Sequence, residues 1–204
     1  MTFDSTRGDD LGLAPPLIHS DFSRSLSEWF DFLAVHYRPI VGDAGISLWG
    51  RPVCGWGGKA ADGRPEGLWH LITRETGGGR QLDLARCAAL ARVWDVLELS
   101  AAGDPRVLWW RETRRHGRHL RRHLMVAPAD FSLVIVLRET PERFVLLTAY
   151  PVKPHRRRSF AERAAAAWAS GQARLEQYAR RPTRPPETWR PPAAGRRRPW
   201  GPDW

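Results

Sequence analysis

The sequence predicts an α+β domain, and three observations carry that prediction. Apolar residues recur at three- and four-residue steps between Phe22 and Tyr37, which marks an amphipathic helix. Four strand-like runs follow one another between Val107 and Tyr150, with connections short enough for antiparallel neighbours only. Helical patterns stand before and after these runs rather than alternating with them, which argues against a parallel α/β sheet. The 204 residues leave room for one domain with tails. Residues 1–19 read as a flexible N-terminus, 20–180 as the single domain, and 181–204 as a Pro/Arg-rich disordered tail.

Taken in order, the first helix starts at Asp21 with Ser20 or Asp21 as its cap. Its buried stripe is Phe22, Leu26, Trp29, Phe30, Leu33 and Tyr37, and Pro39 stops it. Glycine-rich residues 42–67 read as a short strand at Ile46–Trp49 followed by a long irregular loop. Trp56 in that loop suits either a cap on the core or a platform for a base. The apolar run Leu68–Ile72 predicts a mostly buried strand, and Gly77–Gly79 a turn where positive φ is free of strain. Asp83 caps a second helix running to Leu99, with Leu84, Cys87, Ala88, Ala91, Trp94 and Leu97 on one face.

The four late strands are Val107–Arg111, Arg118–Val126, Phe131–Leu137 and Phe144–Tyr150. The third is apolar on both faces and belongs in the middle of a sheet. The second carries Arg118, Arg121 and Arg122 and reads as exposed or as an edge. A last helix spans Ser159–Tyr178, with Ser159 and Glu162 spaced as a capping box and Gly171 as a weak point.

Two cysteines, Cys54 and Cys87, are too few for a disulfide scaffold. His119 and His123 have metal-ligand spacing for a helix, but they sit in a strand pattern, so no metal and no other cofactor is expected. No apolar run reaches the roughly 18 residues of a membrane-crossing helix, and the N-terminus lacks a secretory pattern. A cytoplasmic protein is the expectation. Residues 153–204 hold 13 Lys/Arg against 4 Asp/Glu, which is +9 of the chain's formal +10. Solubility and genome composition explain such a bias as well as attraction to nucleic acid does.

The residues suited to chemistry gather around the glycine turn. His70 lies inside an apolar run, Arg74 follows it by four, and Arg80 and Arg86 follow the turn. In a regular strand an even offset places His70 and Arg74 on one face, and Thr148 and Tyr150 likewise share a face of the last strand. Imidazole transfers protons near neutral pH, guanidinium holds phosphate oxygens, and hydroxyls donate to the same oxygens. That equipment suits a phosphodiester. The expectation is that His70 and Arg74 face Thr148 and Tyr150 across one cleft. Arg118, Arg121 and the run His155, Arg156 and Arg157 supply further phosphate contacts if RNA binds.

The segments WHLITR (69–74), DLARCAALARVW (83–94), VLWW (107–110) and RFVLLTAYPV (143–152) occur in an order that resembles the phage- and mobile-element-associated nuclease-like proteins of the barnase–EndoU–colicin–RelE superfamily (BECR). The resemblance covers about residues 65–160. It implies helices packed on a four-stranded antiparallel sheet, five with the earlier strand, and metal-independent ribonuclease chemistry of the kind found in toxins. Carried over by position it points to His70, Arg74, Thr148 and Tyr150, with Arg86 as a further position, and it implies a cognate immunity or antitoxin protein as a possible partner. Residues 42–64 and the tail have no counterpart in it. The alternative function is a non-catalytic nucleic-acid-binding or phage-associated protein that keeps the fold without the activity.

Overall fold

The computed structural model describes residues 11–13, 26–41, 45–59, 63–77 and 79–170. In chain order the elements are α1 (Leu26–Val41), β1 (Ser47–Leu48), β2 (Arg51–Gly55), α2 (Glu66–Ile72), β3 (Thr73–Thr76), β4 (Gly79–Leu82), α3 (Leu84–Ala102), β5 (Val107–His116), β6 (His119–Pro128), β7 (Leu133–Glu139), β8 (Phe144–Pro151) and α4 (Pro154–Ala169). Six strands form one sheet in the order β1-β2-β8-β7-β6-β5, and β3 and β4 form a separate hairpin. The α+β class holds, and β5 to β8 form the antiparallel meander that the short connections predict.

The sheet has six strands rather than four or five, and one pair is parallel. Val53–Gly55 of β2 run alongside Phe144–Leu146 of β8, so the stretch read as an irregular loop contains a strand. Its partner lies about ninety residues away, and nothing local marks so short a segment as a strand. Burial and charge fix it: Val53 is buried, and the Arg51 guanidinium lies 4.0 Å above the Phe144 ring. Arg51 Nη2 also donates to Glu139 on β7 at 2.9 Å, and Arg111 on β5 binds the same carboxylate at 2.7 Å. Trp49, in the β1–β2 turn, brings its ring within 4.9 Å of Trp109 on β5, so the sheet curls until its two ends approach.

β7 explains itself through two cores. Leu133, Ile135 and Leu137 face the core shared with α1, α2 and α3, whereas Val134 and Val136 face the core under α4. A strand with helices on both sides needs apolar residues at every position. β6 corrects the edge assignment, since it lies between β5 and β7. Only His123–Val126 pair with β7, however, so among the described residues its arginine-bearing half is bordered by β5 alone. That arrangement is why the sequence reads as exposed.

Three element boundaries move. Residues Leu68–Ile72 belong to helix α2, not to a strand. The run LWHLI satisfies helical spacing as well, and Leu68, Leu71 and Ile72 point into the first core. α1 continues through Pro39 to Val41. The carbonyl that loses its donor belongs to Val35, whose side chain is exposed, so water can serve it. α4 begins at Pro154, ahead of Ser159, because proline at the first helical position carries the right φ already. Glu162 instead binds Arg158 one turn back. The expectations for residues 1–10, 14–25 and 171–204, including the start of the first helix, Gly171 and the tail, lie outside the described residues.

Candidate functional site

The corner around His70 is assembled by close-range sequence. Thr73 ends α2: its backbone N–H and its hydroxyl both donate to the Trp69 carbonyl, the hydroxyl at 2.6 Å. The chain then enters the β3–β4 hairpin, whose turn needs φ of +102° at Gly79, a value that favours glycine. Asp83 caps α3 by accepting from the backbone N–H groups of Ala85 and Arg86 at 3.1 and 3.2 Å. Gly67 permits the last close approach. A Cβ there would meet the Tyr37 hydroxyl and lie 2.9 Å from the Trp56 carbonyl oxygen. The loop can therefore lie against α2, and the Trp56 ring stands edge-on to the His70 ring with centroids 4.2 Å apart.

Two arginines close on His70. Arg80 Nη2 donates to His70 Nδ1 at 2.7 Å while its Nε donates to the Thr73 hydroxyl at 3.1 Å. Arg86 Nη1 donates to the Thr73 carbonyl at 2.8 Å and to the His70 carbonyl at 3.4 Å. Burial and then the Arg80 charge lower the His70 pKa, against the carboxylates of Glu66 and Glu75. The ring is thus neutral at pH 7. Guanidinium has no lone pair to offer, so Nδ1 is the acceptor and the ring proton sits on Nε2.

Arg74 does not join this group. Cross-strand partners share a face, and the register sets Glu75 opposite Arg80 and Arg74 opposite Gln81. Arg80 faces His70, so Arg74 turns to the other face of the hairpin, where it is exposed. The even-offset argument fails because His70 and Arg74 are on different elements, a helix and a strand.

Thr148 and Tyr150 do share a face, but it is the face under α4. They pair with Val136 and Val134, both of which line the second core. α2 packs on the opposite side of the sheet, so the expected single cleft does not form. One contact reaches across. β2 stops at the level of Leu146, and beyond it the margin of β8 has no strand neighbour on that side among the described residues. The Arg86 guanidinium lies 5.8 Å from the Tyr150 ring centroid. Burial raises the Tyr150 pKa, opposed by Arg114 and Arg163.

Beside Tyr150 lies a second polar cluster that the sequence reading missed. Glu112 of β5 accepts from Trp110 Nε1 at 2.9 Å, from Arg114 Nη2 at 2.9 Å and from Arg163 of α4 through two guanidinium nitrogens, Nε at 2.8 Å. Burial alone would raise the Glu112 pKa, but the Arg163, Trp110 and Arg114 hydrogen bonds outweigh it and hold the carboxyl below its ordinary value. His123 stands directly across from Glu112. It is 8% exposed, and its Nδ1 has no hydrogen-bond partner among the described residues. Burial first, and Arg114 next, lower its pKa. Thr148 Oγ1 is likewise buried and without a partner among the described residues. A single acid between arginines, Glu112 in RETR (111–114), with Arg114 two residues on and so on the same strand face, was the available signal.

The remaining basic positions fall on two surfaces. Arg118 and Arg121 belong to the outer part of the β5–β6 hairpin, and His155, Arg156 and Arg157 to the first turn of α4, where Arg157 pairs with Asp130 at 3.6 Å. Among the described residues no three His, Cys, Asp or Glu side chains group as metal ligands, and no helix is long and apolar enough to cross a membrane. Comparison with protein-family models, curated proteins and solved structures found no match.

Proposed function

We propose that this chain binds RNA at the His70 corner and cleaves it without a metal, by attack of the ribose 2′-hydroxyl on the adjacent phosphate. The observation that carries the reading is the Arg80–His70 hydrogen bond with Arg86 alongside, which sets a neutral imidazole between two cations. The reaction needs a base for the 2′-hydroxyl proton, an acid for the departing 5′-oxygen and cations on the phosphorane. In the free protein His70 Nε2 carries the proton and is a donor. A bound phosphate draws Arg80 onto its own oxygens, releases Nδ1 and lets the ring proton move there, so that Nε2 becomes the acceptor that takes the 2′-hydroxyl proton. The imidazolium so formed gives the Nδ1 proton to the departing 5′-oxygen, which restores the neutral ring with its proton on Nε2. Arg80 and Arg86 then hold the phosphate, Arg74 guides the strand from the far side of the hairpin, and His155, Arg156 and Arg157 extend the basic surface. Tyr150 backs Arg86 from the other side of the sheet.

On this reading the α+β frame is of BECR type, the protein is toxin-like and phage-associated, it works in the cytoplasm, and an immunity or antitoxin protein covers the corner. A second reading, nucleic-acid binding without cleavage, draws support from the same hydrogen bond, since Arg80 occupies the nitrogen that must become free for base catalysis. RNA incubated with the protein in excess chelator separates the two. Cleavage that falls roughly a hundredfold or more in His70→Ala supports the enzyme. Salt-sensitive binding with intact RNA supports the second reading, and full cleavage by His70→Ala ends the assignment of the site.

A further inference from the structure

The β5–β6 hairpin outgrows the sheet it belongs to. Its register runs unbroken from Val107–Pro128 to His116–His119, yet β7 covers β6 only at His123–Val126. Among the described residues, 113–122 therefore extend past the rest of the sheet as a two-stranded ribbon, about 13 Å long at roughly 3.3 Å per residue. Cross-strand pairs share a face. Arg114 and Arg121 lie on the α4 face, and Arg115, Leu120 and Arg122 on the other, with Arg118 in the turn. Arg115, Arg118, Arg121 and Arg122 form no ion pair among the described residues, whereas Arg114 is tied to Glu112. Leu120 is 73% exposed, the most exposed large hydrophobic described.

We propose that this ribbon inserts into the major groove of duplex DNA. A surface that lies flat on a polyanion needs cations on one side only, whereas this ribbon carries them on both faces and at its tip, as a groove with phosphates on either side requires. The B-form major groove, about 12 Å wide and 8.5 Å deep, admits a two-stranded ribbon, and this one is longer than the groove is deep. The major groove of A-form RNA is too narrow and too deep to be read by side chains. Leu120 supplies the apolar contact that a thymine methyl takes, flanked on its own face by Arg115 and Arg122. The proposal uses a surface separate from the His70 corner. Duplex DNA also lacks the 2′-hydroxyl, so binding is read without turnover, and it stands or fails whether or not RNA is cleaved.

The test is fluorescence anisotropy of the full chain with a short DNA duplex, an RNA duplex of the same sequence and polyglutamate, each over a salt series. The expected result is tightest binding to the DNA duplex, with protection of guanine N7 from methylation. Arg115→Ala with Arg122→Ala lowers the magnitude of the salt slope by about 2, one per phosphate contact. Leu120→Ser weakens binding and leaves that slope unchanged. Lys153→Ala, an exposed position just past the end of β8 and at the end of the sheet opposite the ribbon, leaves both affinity and slope near those of the parent. Circular dichroism should show the native fold in every variant. Equal binding of the RNA duplex, absence of N7 protection, polyglutamate bound as well as DNA, or the same slope change in Lys153→Ala and the ribbon variant would each overturn the proposal.

Discussion

The His70 corner and the Glu112 cluster are made of the same residue types and put them to opposite uses. At the corner a half-buried imidazole meets Arg80 and Arg86, and its hydrogen bonds join residues seven to sixteen apart in the chain. At the cluster a carboxylate 16% exposed collects Arg163 and Arg114, with Arg163 51 residues away. The arginines of the cluster have spent their charge on an acid that holds α4 against β5. At the corner the hydrogen bonds of Arg80 and Arg86 go to neutral acceptors, and the ion pair of Arg86 with Asp83 is long at 3.8 Å, so a phosphate can still draw on their charge. What separates a binding corner from a structural anchor here is not the presence of arginine and histidine but whether an acid is hydrogen-bonded between them, as Glu112 is, or lies at a longer range, as Asp83 does from Arg86.

The largest expected effect breaks the anchor. Glu112→Ala leaves two guanidiniums and the Trp110 N–H without their shared acceptor and costs about 3 kcal/mol, the low end for a broken buried pair because some water reaches it. Urea denaturation measures this, and a loss no larger than that of an exposed acid would remove the distinction between the regions. His70→Ala should do the reverse. It costs cleavage roughly a hundredfold, while the midpoint of urea unfolding stays close to that of the parent because the side chain is only partly buried.

Gly67→Ala tests how the corner is held together. The added methyl meets the Tyr37 hydroxyl and the Trp56 backbone, so the expected loss is about 1–3 kcal/mol of stability. Tryptophan fluorescence should change as Trp56 leaves His70, and an unaltered spectrum would show that the approach is loose. Smaller shifts follow from charge. Removing Arg80 takes away a cation that lowers the His70 pKa, so Arg80→Met raises it, as read by NMR titration of the ring. Glu112 and Glu139 are both held below the ordinary carboxylate value of 4.5. The stability they contribute is complete above that pH. It is lost as pH falls through the ordinary value towards their depressed ones, and Glu112→Gln should flatten this acid limb.

Local chemistry and alternation were enough for much of the fold. Asp83 as a cap, the turn closing at Gly79, the meander from Val107 to Tyr150 and the central place of β7 all rest on residues close in sequence, where capping, turn strain and period act directly. Arg80 and Arg86 could be brought to His70 for the same reason, since one hairpin and one helix start separate them. The tertiary structure alone decided the rest. LWHLI fits a strand and a helix equally, and only the core of α1 and α3 selects the helix, which parts His70 from Arg74. RPVCG becomes a strand because β8 offers an open edge and Glu139 a buried acceptor for Arg51, both far away in the chain. Thr148 and Tyr150 share a face with each other but not with His70, because α4 and α2 take opposite sides of one sheet. Periodicity states which residues of a segment lie together; which side of the sheet they meet depends on packing between segments that the sequence keeps apart.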